Sequence, residues 1–462
     1  MGTASRRPRP TSSQTPGSKP ASKKKLAWPV IAFLICAFIP WLWSIGSVIV
    51  SPYRVVLLAT TLPCLWIWAR GKAGGIRGSD VAVLLYCLWC ITSLTVIHGA
   101  QTGLQSGGII SIETAGAYFL GRGFIRGPEQ FYAMIRLLFW IVTALLPFAV
   151  LEAISNSNVL LKFFATFFPT HVVAFNVPRW GLRRVQSVFE HPILFGVSCG
   201  AILALVHLVL GEKVSSAKRW FASASVLLTA SLSLSSGPLA ALTAQVFLIF
   251  WNWVLRANEM RWRLLWALLF AMYVLISLVS NQTVPEFLLT HFSFDQGSAY
   301  YRVLIWHFGS ESVLNHPFFG VGFNRWDRPE WMPGSIDMFW LYHAVLFGLP
   351  AGILMTLSFL LTIISVSFRK GLDPTFVQYR TAFLIVMASY FLVGWTVHFW
   401  NATYVLFLFL LGSGAWLVDI GSQPETRVPG ARMHGTARPL RRSTEASDAS
   451  PRANARDSDA AG

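Results

Sequence analysis

The sequence predicts an all-α polytopic membrane protein with about 12 transmembrane helices and a partly helical external loop subdomain. Three observations predict it: a composition too apolar for water, a series of apolar runs of bilayer length, and an alternation of positive charge between them. Of the 462 residues, 54% are hydrophobic and 12% charged. A soluble domain carries about 25% charged residues, so lipid must be the solvent for much of this chain. The 20 tryptophans and 35 phenylalanines suit aromatic belts where helices meet headgroups.

Residues 1–25 are rich in Ser, Pro, Lys and Arg and are expected to be disordered. The run Leu26–Val50 is too long for a signal-peptide core and has no convincing cleavage site, so it is expected to stay in the membrane. Residues 26–420 form the expected bundle, with apolar spans near 27–49, 54–70, 80–98, 109–125, 130–153, 192–211, 220–236, 238–256, 264–281, 337–368, 380–398 and 400–419. The fourth is short and carries Glu113. Residues 421–462 form a second basic tail without periodicity, again expected to be disordered.

Charge tests this layout independently of hydropathy. With the N-terminus in the cytoplasm, 29 of the 37 basic residues fall inside, including three in each of five loops. That is the positive-inside bias, and it predicts an even span count with both termini cytoplasmic. The net charge of +17 is thereby assigned to the inner membrane surface and its anionic lipids, and no nucleic-acid partner is expected. All five cysteines fall in apolar runs, and the pair Cys87 and Cys90 has no second ligand pair nearby. No disulfide, metal or cofactor is expected.

The eight external basic residues are Arg54, Lys162, Arg179, Arg183, Arg184, Arg302, Arg325 and Arg328. All but Arg54 lie in two long external segments, 154–191 and 282–336, and long loops of compact proteins carry function. Cationic anchors are disfavoured on this side, which points Arg184 and its neighbour Arg183 towards a ligand. Glu190 and His191 have the chemistry for proton transfer, while His191 beside Pro192 also fits a helix cap. Arg302 and Trp306 are spaced i, i+4 and share a helix face, an arrangement that can bracket a phosphate and a sugar. Around them Tyr301, His316 and Arg325 complete the candidate binding residues, the N-H-P-x-x-G-x-G stretch at Asn315–Gly322 being a turn where bare backbone can approach a ligand. Asp337 opens a long apolar run, where it serves either as a helix cap or as a reactive carboxylate. Glu113 and Glu152 are ionisable groups in or beside spans whose partners the sequence does not name.

Three stretches then occur in order: R-x-x-S-x-F-x-H-P (Arg184–Pro192), Y-R-x-x-x-W followed by H-P-x-x-G-x-G (Tyr301–Gly322), and S-x-D-x-F-W-L…G-L-P (Ser335–Pro350). Together with the span count they resemble the bacterial O-antigen ligase and O-antigen or exopolysaccharide polymerase family, over about 180–355. The resemblance implies a multi-pass protein of the bacterial inner membrane with a periplasmic loop subdomain. It further implies a metal-independent glycosyltransferase that moves glycan from undecaprenyl diphosphate to a hydroxyl acceptor, a glycan or a lipid, on the outer face. The family's two diphosphate-gripping arginines fall on Arg184 and Arg302, and a guanidinium fork suits phosphate oxygens. Where ligases of this family carry a His-Asn pair, this chain has Asp337-Met338, so Asp337 becomes the expected proton acceptor. That departure favours a polymerase of lipid-linked repeat units over a ligase to lipid A-core, with a chain-length regulator as a further expected partner. A lipid-linked glycan transporter is the alternative of another class, although no inverted repeat is evident.

Overall fold

The computed structural model describes residues 25–46, 48–281, 283–284, 286–287 and 296–420. The expected disordered tails, 1–25 and 421–462, lie outside the described residues apart from Lys25. Among the described residues, nine helical runs are long and apolar enough to cross a bilayer. In chain order the fold opens with the short helix α1 (Trp28–Cys36) and a hairpin of β1 (Trp43–Ile45) and β2 (Val48–Val50). The helices α2 (Pro52–Ala69), α3 (Gly78–His98), α4 (Ala100–Ser111), α5 (Ala117–Phe124), α6 (Pro128–Ser155) and α7 (Val159–Ala165) follow. After the first long loop come α8 (Pro192–Gly200), α9 (Leu203–Leu208), α10 (Ser216–Ser231), α11 (Ser236–Val254) and α12 (Arg261–Val279). The second long segment contains α13 (Gln296–Asn315) and leads to α14 (Phe339–Phe347), α15 (Leu349–Ser367), α16 (Pro374–Val393), α17 (Asn401–Ser413) and α18 (Trp416–Asp419).

The three expected spans outside those nine are shorter or interrupted. The first is helical only over α1. Pro40 follows, and the β-branched and aromatic residues beyond it pair antiparallel, Trp43 opposite Val50 and Ile45 opposite Val48. Hydropathy cannot tell such an apolar hairpin from a helix. The fourth is a continuous run, Ala100–Phe124, that passes through a π turn at Ile112–Gly116. The seventh, α10, has 16 residues. The tenth is cut in two at Gly348, whose φ of +84° ends α14. A Cβ there would sit 1.9 Å from the Phe318 carbonyl oxygen, so only glycine fits.

The runs Pro192–Lys213 and Asn401–Asp419 form the centre, with 94% and 89% of their apolar windows buried by other parts of the chain, against 11% for α12. Small residues let backbones meet there: a Cβ on Gly412 would lie 2.1 Å from the Tyr118 carbonyl oxygen, and one on Gly121 2.3 Å from that of Phe409. Polar side chains close the remaining gaps. Gln245 on α11 accepts from the Ala204 amide (3.1 Å) and donates to the Gly200 carbonyl (2.9 Å), covering the break between α8 and α9. Ser198 and Thr403 link α8 to α17 at 2.8 Å.

Polar clusters gather at both ends of this bundle. Arg54 begins α2 while Trp68 ends it, and Asn401 begins the central run that Asp419 closes. At 1.5 Å per residue those ends are roughly 27 Å apart.

Candidate functional site

The cluster around Arg54 and Asn401 collects most of the residues that the sequence singles out. The loop before α8 is shaped from below by Glu152, near the end of α6, whose carboxylate accepts from the Gln186 amide (3.2 Å) and the Ser187 amide (3.0 Å). Asn158 adds a bond to the Ser187 carbonyl at 2.7 Å. Ser187 is thereby held at φ +51°, an uncommon conformation for a residue with a Cβ. Arg183 lies 3.6 Å from the same Glu152 carboxylate and caps Asn156, so it braces the loop. Glu152 thus has its partners, and they are structural ones.

Arg184 turns the other way, donating to Asn176 Oδ1 (3.3 Å) and Ser235 Oγ (2.8 Å). Two residues on, Gly237 abuts the loop joining α16 to α17: a Cβ there would meet Val397 at 3.0 Å and Thr396 at 3.2 Å. The carbonyl of that same Thr396 receives Arg302 Nε at 2.8 Å, while Arg302 Nη1 bonds the Ser298 carbonyl at 2.9 Å. Arg302 is buried, on α13, and the neighbouring Tyr301 bonds the Ser335 carbonyl, two residues before Asp337. Burial raises the Asp337 carboxyl above its ordinary pKa and the Arg302 charge opposes that rise. The loop 394–400 is therefore the hub. It also takes the Phe339 amide on the Gly394 carbonyl (2.8 Å) and the Val397 carbonyl (3.2 Å), which fixes the start of α14 just after Asp337.

Glu190 joins this hub from the α8 side. Its Oε1 accepts from Asn401 Nδ2 (2.9 Å) and lies 3.2 Å from His171 Nε2. Asn401 also accepts from Arg54 (3.2 Å), whose Nε bonds Glu113 at 2.7 Å, with Tyr53 adding a 3.0 Å bond to the same carboxylate oxygen. The structure so supplies the partners of Glu113, which sequence reasoning did not find. His191 caps α8, accepting the Ile193 amide on Nδ1 at 3.3 Å. Burial and the nearby Arg184 charge lower its pKa to about 4, so the ring is neutral at physiological pH.

A cavity of about 210 Å³ opens beneath the hub, lined by Tyr86, Glu113, Tyr342, His343, His398, Asn401 and Tyr404 among others. Tyr86 bonds His343 Nδ1 at 2.8 Å, and Tyr342 stacks on His398 with ring centroids 3.8 Å apart. The buried atoms His343 Nε2, His398 Nδ1 and Glu190 Oε2 have no hydrogen-bond partner among the described residues. Buried polar atoms are normally paired. Aromatic faces and spare polar atoms together form a lining suited to a polyhydroxylated ring.

The remaining predicted residues fall at or outside the rim. Tyr301 donates to the Pro333 carbonyl (3.1 Å) and the Ser335 carbonyl (3.3 Å), tying α13 to the Asp337 segment. Trp306 is half-exposed and edges onto Trp395 at 5.8 Å. His316 and Arg325 form a separate exposed group with Asp327 and Glu330, at 3.8 Å in each pair. The glycines of the N-H-P-x-x-G-x-G turn approach the chain's own backbone, since Val321 and Gly322 donate to the Val345 (2.9 Å) and Leu346 (2.8 Å) carbonyls. That stretch braces the α14–α15 break. Missed altogether by sequence reasoning were Ser235, Thr396, His398 and Asn401; polar residues within the apolar stretch 394–403 were the available signal.

Against known families, residues 221–356 match the model described as O-antigen ligase, which takes in α13, Asp337 and α14 and leaves Arg184 outside. A search of curated proteins finds no match.

Proposed function

We propose that this multi-pass member of the O-antigen ligase and polymerase family is a metal-independent glycosyltransferase that polymerises undecaprenyl-diphosphate-linked glycan units on the outer face of the bacterial inner membrane. The observation that carries the reading is the anchoring of Arg302 on the Thr396 carbonyl, with Arg184 fixed to the adjoining turn. In this scheme the two guanidiniums hold the donor diphosphate. The acceptor hydroxyl attacks the anomeric carbon, the bond from that carbon to the diphosphate oxygen breaks, and its electron pair leaves with the diphosphate. The hydroxyl proton passes to Asp337, whose raised pKa suits a base. Arginine stabilises the charge that develops on the leaving group because it cannot lose its own proton. The aromatic, polar cavity beside the hub offers room for a sugar ring of the acceptor or donor.

The same reading places both termini in the cytoplasm, completes the nine long runs to about twelve crossings, and treats 154–191 and 282–336 as the external segments. A chain-length regulator remains part of the proposal as a partner. The family's description favours a second reading, a ligase that moves finished glycan onto lipid A-core. The size distribution of lipid-diphosphate-linked glycan in cells lacking the protein separates them. Accumulated single units support the polymerase; long chains stranded on the carrier support the ligase; an unchanged profile removes the transferase reading and favours a transporter.

A further inference from the structure

The loop between α6 and α8 carries an apolar surface that neither the bundle nor the candidate site uses. Phe163, Phe167, Val172, Phe175 and Val177 are all exposed, Phe175 at 97% and Val172 at 86%. Patches of this kind on a protein surface mark a contact. The backbone that presents them is pinned from inside at close intervals. Leu42 donates to the Pro169 carbonyl (2.8 Å), Gln186 bonds both the Val172 carbonyl (3.3 Å) and the Ala174 amide (2.8 Å), and Arg179 donates to the Leu234 carbonyl (2.8 Å). Between these pins the large side chains project outwards, so their exposure is built into the fold. Ile45 and Ile49 of the hairpin, 68% and 52% exposed, extend the surface through the packing of Trp43 on Phe168.

Two further facts select the occupant. The loop leaves the end of one membrane-crossing helix, α6, and enters another crossing run at Pro192, so both its ends lie at one face of the bundle. Between Glu152 and Glu190 there is no acidic residue, while Lys162 and Arg179, outside the candidate site, are basic. Apolar projections framed by cations at a bilayer surface match the chemistry of anionic phospholipid, acyl chains below and headgroups above. We propose that residues 163–180 form a monotopic membrane contact that dips into the leaflet at the Arg184 end. Through Asn176, which holds Arg184, this contact sets the site at headgroup depth. It is independent of which transfer reaction the site performs.

Spin labelling tests it. The full chain, with its five cysteines replaced by serine or alanine, carries a nitroxide at Phe175→Cys and separately at Val172→Cys, in nanodiscs of phosphatidylethanolamine and phosphatidylglycerol. Leu275→Cys, exposed in the last third of α12, is the lipid reference, and Glu330→Cys, with its side chain 94% exposed, is the water reference. The expected result is oxygen accessibility well above that of a nickel chelate at both positions, as at Leu275. Accessibility matching Glu330 overturns the proposal, and so does shielding from both reagents, which would mean that protein covers the loop.

Discussion

The two ends of the bundle use similar residues in opposite ways. At the Asp419 end acidic and basic groups are paired with one another and with the backbone, although the buried Nε atoms of Arg77 and Arg122 lack a hydrogen bond among the described residues. Asp80 receives Trp68 Nε1 (2.9 Å), Tyr118 OH (2.8 Å) and the Arg77 amide (3.0 Å), and faces Arg122 at 3.4 Å. Arg122 also contacts Asp419 (3.2 Å) and the carbonyls of Ala73 and Gly75, while Arg77 closes onto Asp419. At the Arg54 end the cluster is as extensive but borders a cavity, which His343 and His398 line with spare ring nitrogens. Charges paired with each other rigidify, whereas polar atoms left over beside a cavity can take a ligand. That cavity is what makes the Arg54 end the candidate site.

Substitutions can break or sharpen that contrast. The largest effect is expected for Arg184→Ala and Arg302→Ala, each lowering glycan transfer by at least about 10²–10³-fold with membrane insertion and abundance intact. Radiolabelled product and immunoblots read the two separately. Arg302→Lys should fail similarly where a bidentate fork is required. Asp337→Asn should remove the acid limb of the pH–rate profile along with most activity, because only the carboxylate accepts a proton. In the wild type, activity should decline as pH falls through a pKa lying above the ordinary carboxylate range, the direction that burial of Asp337 dictates. Arg122→Ala at the other end should do the reverse: a stability loss of about 3–5 kcal/mol from the stranded Asp80, seen as a lower unfolding temperature in detergent, with near-normal turnover per folded molecule. Smallest is His191, where Ala should cost about 1 kcal/mol of cap and Asn nearly nothing. Loss of transfer in His191→Asn, with stability unchanged, would show that the ring does more than cap.

Legibility followed the range of the interactions. The long crossing runs were readable because each carries its own hydropathy, and Arg184, Arg302 and Asp337 stood out as charges in unfavourable places. Two of the apolar spans are not single uninterrupted helices, for local reasons. The run 27–49 hides a hairpin behind Pro40, and 337–368 is broken at Gly348, where only a contact with the distant Phe318 carbonyl reveals why glycine is needed. The hub was illegible because its bonds are distant or anonymous. Arg302 is held by the backbone of Thr396, 94 residues away, and any residue could offer that carbonyl. Glu113 could be flagged, but its partner Arg54 lies 59 residues earlier and nothing local couples them. Backbone strain marks the same places: Ser187, Leu234 and Asn401 are three of the five non-glycine residues with positive φ among the described residues.

The run Ala100–Phe124 touches both ends, through Glu113 at one and Arg122 at the other, and Glu113 itself lies in the π turn at Ile112–Gly116. A π turn is one residue wider than an α turn, and one residue is about 100° of rotation. It therefore acts as a phase joint: the widened turn aims its own carboxylate at Arg54, and α5 beyond it keeps the Arg122 guanidinium in register. Deleting Ala115 should return the run to even winding and leave only one of the two ends in phase with its partners.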